Sequence, residues 1–260
     1  ADDEGDSSTA IGYNALLRQN VGDETSGNTG VGKAAGLFNV TGKNNTYVGS
    51  GAGVGADGES NSQNTAVGSD ALLSITSGGN NVAIGYQAGD ALTTASENIA
   101  IGYDALGVAD AGEGGNVVIG NEAGNAINNA AADHNVIIGI SAGQGGTGAM
   151  AQCVAIGKGA MNTTAGNAQT GTVAIGSDAL NGLTTGTGNV SVGYQSGKLI
   201  DVGTKNTLIG YQAGYDLEEG DENVYIGYDV DGNSTNAQNR AAIGHNITTQ
   251  ADDSVTLGNN

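Results

Sequence analysis

The chain has 260 residues, of which 48 are Gly, with one Phe, no Trp, no Pro and 4% aromatic residues, so it lacks the bulk to fill a wide close-packed core. Its 27 acidic and 7 basic residues give a formal net charge of -20, which excludes a nucleic-acid binder built on phosphate neutralisation and favours solubility in salty water. The single cysteine, Cys153, excludes a disulfide framework within one chain, and the absence of both Pro and a Gly-X-Y period excludes collagen and Pro-rich linkers.

Residues 1–7 form an acidic segment with no apolar stretch of the signal-peptide kind, and no run in the chain approaches the roughly eighteen apolar residues of a membrane span. From Ser8 one phrase then recurs, an aliphatic residue followed by glycine. The fifteen glycines are Gly12, Gly32, Gly49, Gly68, Gly85, Gly102, Gly120, Gly139, Gly157, Gly176, Gly193, Gly210, Gly227, Gly244 and Gly258, most often 17 residues apart. The residue before each is Ile, Val or Leu in all fifteen copies, a fixed phase that a disordered low-complexity tract has no reason to keep. Four positions before the glycine stands Asn in ten copies: Asn28, Asn45, Asn64, Asn81, Asn98, Asn116, Asn135, Asn189, Asn206 and Asn223. Cys153 occupies the same slot and reads as a packed small residue.

The three residues before glycine alternate, as in Val82-Ala83-Ile84, which is the period of a short strand with two branched residues on one face. This reading turns the branched pair toward the core and leaves Ala, Ser or Gly along the strand exterior. Glycine lets the chain bend, Ala three positions later opens a second short inward segment (Ala71-Leu72, Ala105-Leu106), and loops of Thr, Gly, Asp and Asn close the coil. Such a coil cannot bury its apolar face alone, so coils stack at about 4.8 Å. The expected fold is all-β, a parallel β-solenoid of about fifteen coils of 17 to 20 residues spanning residues 8–260, a rod roughly 70 Å long. Extra residues, for example Gly145 to Thr147, are absorbed in loops, and the last copy, ending at Asn260, reads as uncapped and part of a longer fibre. The ten Asn residues align in the stack as a structural ladder of side-chain amides. The small exterior face suits close packing of copies around an axis, with a homotrimer as the expected assembly.

Candidate sites are few. Tyr follows glycine at Tyr13, Tyr86, Tyr103, Tyr194, Tyr211 and Tyr228; an aromatic row on one edge would stack on sugars, or would pack ring over coil with wet hydroxyls. Asp229, Asp231 and Asn233 offer alternating oxygen donors of the type Ca²⁺ accepts, with Glu218, Glu219 and Asp221 nearby in sequence, although the EF-hand pattern is not met and the run also reads as a polar insertion loop. His134 and His245 sit in different repeats, no catalytic triad or phosphate loop can be assembled, and no enzyme activity or cofactor is expected. Asn39, Asn162, Asn189 and Asn233 match the glycosylation acceptor pattern that so Asn- and Thr-rich a text also generates by chance.

The phrases Asn64-Thr65-Ala66-Val67-Gly68-Ser69-Asp70-Ala71-Leu72 and Asn81-Val82-Ala83-Ile84-Gly85-Tyr86-Gln87-Ala88-Gly89 resemble the repeats of trimeric autotransporter adhesin heads and of bacteriophage tail fibres, and the resemblance covers Ser8 to Asn259. The adhesin heads imply a left-handed parallel β-roll wound as a trimer, with neither catalysis nor cofactor. The longer period and the Thr/Ser/Gly tail that follows Ala71-Leu72 are more similar to the fibre repeats. The expectation is a structural fibre or shaft segment of a phage tail fibre, displayed outside the cell or on a virion and projecting a receptor-binding tip. The alternatives are an extracellular bacterial adhesin or glycan-binding module, meeting cell-surface glycans or a receptor, and a self-assembling extracellular filament subunit. Neither nucleic acid nor membrane insertion is expected.

Overall fold

The computed structural model describes residues 7–20, 25–110, 112–129, 131–145, 150–163 and 169–258. Residues 1–6 of the acidic segment, part of the Gly145–Thr147 insertion and the last two residues lie outside these. The chain divides into two compact units, residues 1–130 and 131–260. The first contains β1 (Thr9–Ile11), β2 (Thr29–Val31), β3 (Thr46–Val48), β4 (Thr65–Val67), β5 (Val82–Ile84), β6 (Ile99–Ile101) and β7 (Val117–Ile119). Each pairs in parallel with the next, in the register of the sequence phrase: Ala66 opposite Ala83, Ile84 opposite Ile101.

The second unit runs through β8 (Val136–Ile138), β9 (Met150–Ala151), β10 (Val154–Ile156), β11 (Gln169–Thr170), β12 (Val173–Ile175), β13 (Val190–Val192), β14 (Thr207–Ile209), β15 (Val224–Tyr228), β16 (Asp231–Gly232), β17 (Ala241–His245), β18 (Thr248–Thr249) and β19 (Val255–Leu257). Here β8, β10, β12, β13, β14, β15, β17 and β19 form the main parallel ladder, and the two-residue pairs β9–β11 and β16–β18 lie apart from it. The protein is an all-β parallel β-solenoid of about 14 turns of about 17 residues.

Bends in each coil come from backbone on the positive-φ side. In the coil that begins at Gly85, four residues take it: Gly85 at φ 138, Gln87 at 54, Gly89 at 57 and Glu97 at 64. Between the bends the turn backbone bonds coil to coil as regularly as the strands do, with Leu72 N donating to Ala88 O at 3.0 Å and Gly89 N to Ala105 O at 2.9 Å. The second inward segment is therefore a laddered turn rather than a strand.

The two faces of the strand are the reverse of the sequence reading. In β5 Ala83 is fully buried while Ile84 is exposed and Val82 half-buried, and the second residue is likewise the buried one in the other strands of three or more residues from β2 through β17. The lumen is too narrow for a branched pair from every strand. It is filled instead by the middle strand residue, the Ala three positions after glycine, the residue after that Ala, and a column further on made by Ile75, Leu92, Ile127, Leu183, Ile200 and Leu217, all buried. Volumes compensate within this space. Where the middle residue is large, as Tyr47, Val118, Ile137 and Leu208 are, the residue after Ala is glycine; where it is Leu or Met (Leu72, Leu106, Met161, Leu180), the middle residue is Ala. A Cβ on Gly53 would meet the Tyr47 ring at 2.2 Å, and one on Gly214 would meet Leu208 Cδ2 at 2.7 Å.

Candidate interaction surface

Asn in the slot before the strand is buried and bonds three ways. Asn81 Nδ2 donates to Asn64 Oδ1 at 3.1 Å and across the coil to Ala95 O at 2.9 Å, while its Oδ1 accepts from Asn98 N at 3.0 Å. In the first unit this runs from Asn28 through Asn45, Asn64, Asn81 and Asn98 to Asn116. In the second unit Asn135 Oδ1 accepts from Cys153 N, the slot then holds Cys153 and Thr172, and the ladder resumes over Asn189, Asn206 and Asn223. Cys153 is buried in its slot, and burial pushes its thiol up. At the far end Asn223 Oδ1 accepts from Arg240 N, and the buried Arg240 guanidinium pairs with Asp252 at 2.7 Å. These residues hold the coil together and face away from solvent. Asn189, one of the four glycosylation-pattern residues, is among them, and Asn39 is buried as well.

What faces outward is the first and third residue of each strand of three or more residues. In the first unit the outer columns are Thr or a branched aliphatic (Thr65, Val82, Ile99, Val117) and Val or Ile (Val67, Ile84, Ile101, Ile119); in the second they include Val173, Val190, Val192 and Ile209. Ile84 is 39% exposed, Ile209 39% and Ile243 46%. Parallel in-register pairing turns these residues into two apolar columns about 4.8 Å in pitch on one flat face of each unit.

Tyr flanks the third column. Tyr86 and Tyr103 stack with centroids 5.7 Å apart, and in the second unit Tyr194, Tyr211, Tyr228 and His245 stack in succession at 5.2, 5.0 and 5.0 Å. Each interior ring turns its faces to its neighbours, so a sugar approaching these rings would meet edges rather than an open platform. Tyr13 is 73% exposed.

Two of the three residues proposed for Ca²⁺ have protein partners for their oxygens. Asn233 Oδ1 accepts from Arg240 Nη1 at 2.7 Å, Asp229 sits in the left-handed bend after Tyr228, and the Asp231 carboxylate accepts from Gly232 N and Asp216 N, both at 2.8 Å. Among the described residues no group of three or more His, Cys, Asp or Glu is placed to hold a metal ion. Asp216, Glu218, Asn233 and Thr235 line a shallow groove beside Asp231.

Burial, with smaller contributions from Asp216 and Asp229, raises the Asp231 carboxyl to about 6, against the two backbone bonds that lower it. Its ionised form is therefore disfavoured in the folded state. Stability from this group is present below the ordinary carboxylate range and is lost as pH rises through about 6. Asp231→Asn removes the titration. Whatever constant offset separates the two proteins, wild type should gain on the variant by on the order of 2 kcal/mol as pH falls from about 7.5 to about 4.5. Urea melts of both proteins at the two pH values check this; a parallel response would leave Asp231 without the effect.

No family model, curated protein or solved structure matches the chain.

Proposed function

We propose that this segment is a structural shaft whose outer aliphatic face is covered by further copies of the same chain, three around an axis, so that the stacked coils act as a fibre element displayed outside a cell or on a virion. The observation that supports this most is the in-register Val/Ile column of third strand residues, flanked by a column of Thr and branched aliphatics, on one face of each unit. A partner for that face must present apolar groups at the same pitch, and a second copy does so by construction. Moving each half-exposed branched side chain into an interface is worth about 1 kcal/mol, repeated once or twice per coil. Among the described residues every acidic side chain but Asp231 lies outside the strands, and the net charge of -20 keeps the assembly soluble and discourages indiscriminate association. The resemblance of the repeat phrase to tail-fibre and trimeric adhesin-head repeats supports the number three and the extracellular setting, with the phage tail fibre preferred for its longer period. The interface predicted here is the Val/Ile face rather than the small-residue face, because Ala83 and its equivalents are inside the lumen.

Light scattering on the purified chain should give three times the chain mass, and Ile84→Glu together with Ile209→Glu should give the single-chain mass with an unchanged circular dichroism spectrum, since both side chains already meet solvent. A monomeric wild type, or a trimer indifferent to both charges, overturns the proposal.

A further inference from the structure

Three phenols stand in line on the second unit. Tyr194, Tyr211 and Tyr228 occupy the same position in consecutive turns, their rings near-parallel (20° and 7°) with centroids 5.2 and 5.0 Å apart, and all three are roughly half-exposed. The sulfur side chains are hidden. The chain has no Trp, and its one Cys and both Met (Cys153, Met150, Met161) are fully buried, so oxidising equivalents arriving at the surface meet tyrosine before any sulfur.

We propose that the Tyr194–Tyr211–Tyr228 stack is an oxidative cross-linking site, at which neighbouring phenols are joined ring to ring as dityrosine and consecutive turns are stapled covalently. Each of two adjacent phenols gives up one electron and its hydroxyl proton to become a phenoxyl radical. The two radicals form one carbon–carbon bond between ring positions ortho to oxygen, and the hydrogen on each of those carbons moves to its phenolic oxygen, restoring both aromatic rings. The oxidant is hydrogen peroxide acting through a haem peroxidase; it takes up the two electrons and two protons and leaves as two waters. Stacking supplies the proximity that makes the second, radical–radical step intramolecular. Half-exposure lets the rings swing from face-to-face into the edge contact that the new bond requires. The staple ties together covalently turns held otherwise by hydrogen bonds and packing, which suits an element under mechanical load.

Three phenols elsewhere give the contrast. Tyr47 and Tyr225 are fully buried, and Tyr13 is more exposed than any stacked ring. If exposure alone governed coupling, Tyr13 would react first, and between chains.

The test treats the full-length chain with hydrogen peroxide and a haem peroxidase, separates single-chain from multi-chain products under denaturing conditions, and digests with trypsin. Cleavage after Lys158, Lys198, Lys205 and Arg240 places Tyr194 in peptide 159–198 and Tyr211, Tyr215, Tyr225 and Tyr228 in peptide 206–240, so fragmentation of the joined species locates the bond. The expected result is dityrosine fluorescence in the single-chain band and a species joining those two peptides, lighter than their sum by two hydrogens. Tyr211→Phe keeps the ring in the stack but removes the central phenol, and the joined species should fall to background. Absence of dityrosine, coupling confined to multi-chain bands or to Tyr13, or a joined species that survives Tyr211→Phe would each overturn the proposal.

Discussion

Gly193→Ala should cost the second unit about 3–6 kcal/mol, enough to abolish its cooperative urea transition or move it to far lower denaturant. Two costs combine. The residue sits at φ +147, outside the regions that side chains accept, and a Cβ built there would lie 2.0 Å from the carbonyl oxygen of Gly210 in the next coil. That oxygen is backbone, accepting from Ala213 N within its own bend, and the coil beyond repeats the problem, because a Cβ on Gly210 would lie 1.9 Å from Gly227 O. No rotamer change relieves the contact, so the stack must open. Gly171→Ala separates the two costs: Gly171 also has positive φ, +62, but nothing lies within 4 Å of its Cβ position, and the expected loss is about 1 kcal/mol. Circular dichroism melts of the two variants side by side make the comparison, and equal losses would mean that strain, not the approach of successive coils, is why glycine recurs.

That glycine column explains why so much of the fold is legible in the sequence. A residue type demanded by contact with its own equivalent in the next turn must recur at the turn's length, and the aliphatic neighbour before it fixes the strand's phase. From Ile84-Gly85 and its fourteen counterparts the period and the parallel register follow, and the coil number to within one, since the fifteen repeat strands enclose about 14 turns. What misleads is the rule that bulk goes inside. For Val82-Ala83-Ile84 it selects the wrong face, because the lumen already receives side chains from the bend and from the Leu92-type column, leaving room for one residue per strand, large only where the bend supplies less bulk. The signal that corrects it is present in the sequence as a volume exchange: Tyr47 with Gly53 and Leu208 with Gly214, against Ala66 with Leu72 and Ala174 with Leu180. Residues that trade volume share a cavity. The Leu92 column also keeps a constant offset, seven residues after the repeat glycine from Ile75 to Leu217, but other coils place Gln19, Asn39 or Ala109 in that slot, so its apolar character does not recur often enough to stand out from the loop. For the candidate surface, the Tyr positions are readable from sequence, but ring-on-ring stacking depends on adjacent coils both carrying an aromatic, as Tyr194 to Tyr228 do and Ser177 does not.

Asn206 should show a second large effect, one whose sign with pH identifies its cause. Its Nδ2 donates to Asn189 Oδ1 at 3.1 Å and to Gly220 O at 2.7 Å, and its Oδ1 accepts from Asn223 N at 3.0 Å and from Asn223 Nδ2 at 3.0 Å, all out of contact with water. Asn206→Ala strands donors and acceptors on three neighbours at once, and an expected loss of about 3–5 kcal/mol follows from the cost of each unsatisfied buried group. Asn206→Asp is nearly isosteric and keeps the accepting oxygen, yet it should be at least as damaging at neutral pH. It sets a second carboxylate oxygen against Gly220 O and Asn189 Oδ1, where a donor belongs, and it buries an unpaired charge. Burial raises a carboxyl's pKa, so the folded state of the Asp variant binds its proton more readily than the unfolded chain does, and stability returns as pH falls. A protonated Asp donates one bond and recovers part of the network, whereas the Ala variant has nothing to titrate at this position. Urea melts from about pH 8 to about pH 4 should therefore show the Asp variant gaining on the Ala variant as acid is added; parallel curves would mean that the ladder amides are exposed to water and that the coil is held by its backbone and its glycines alone.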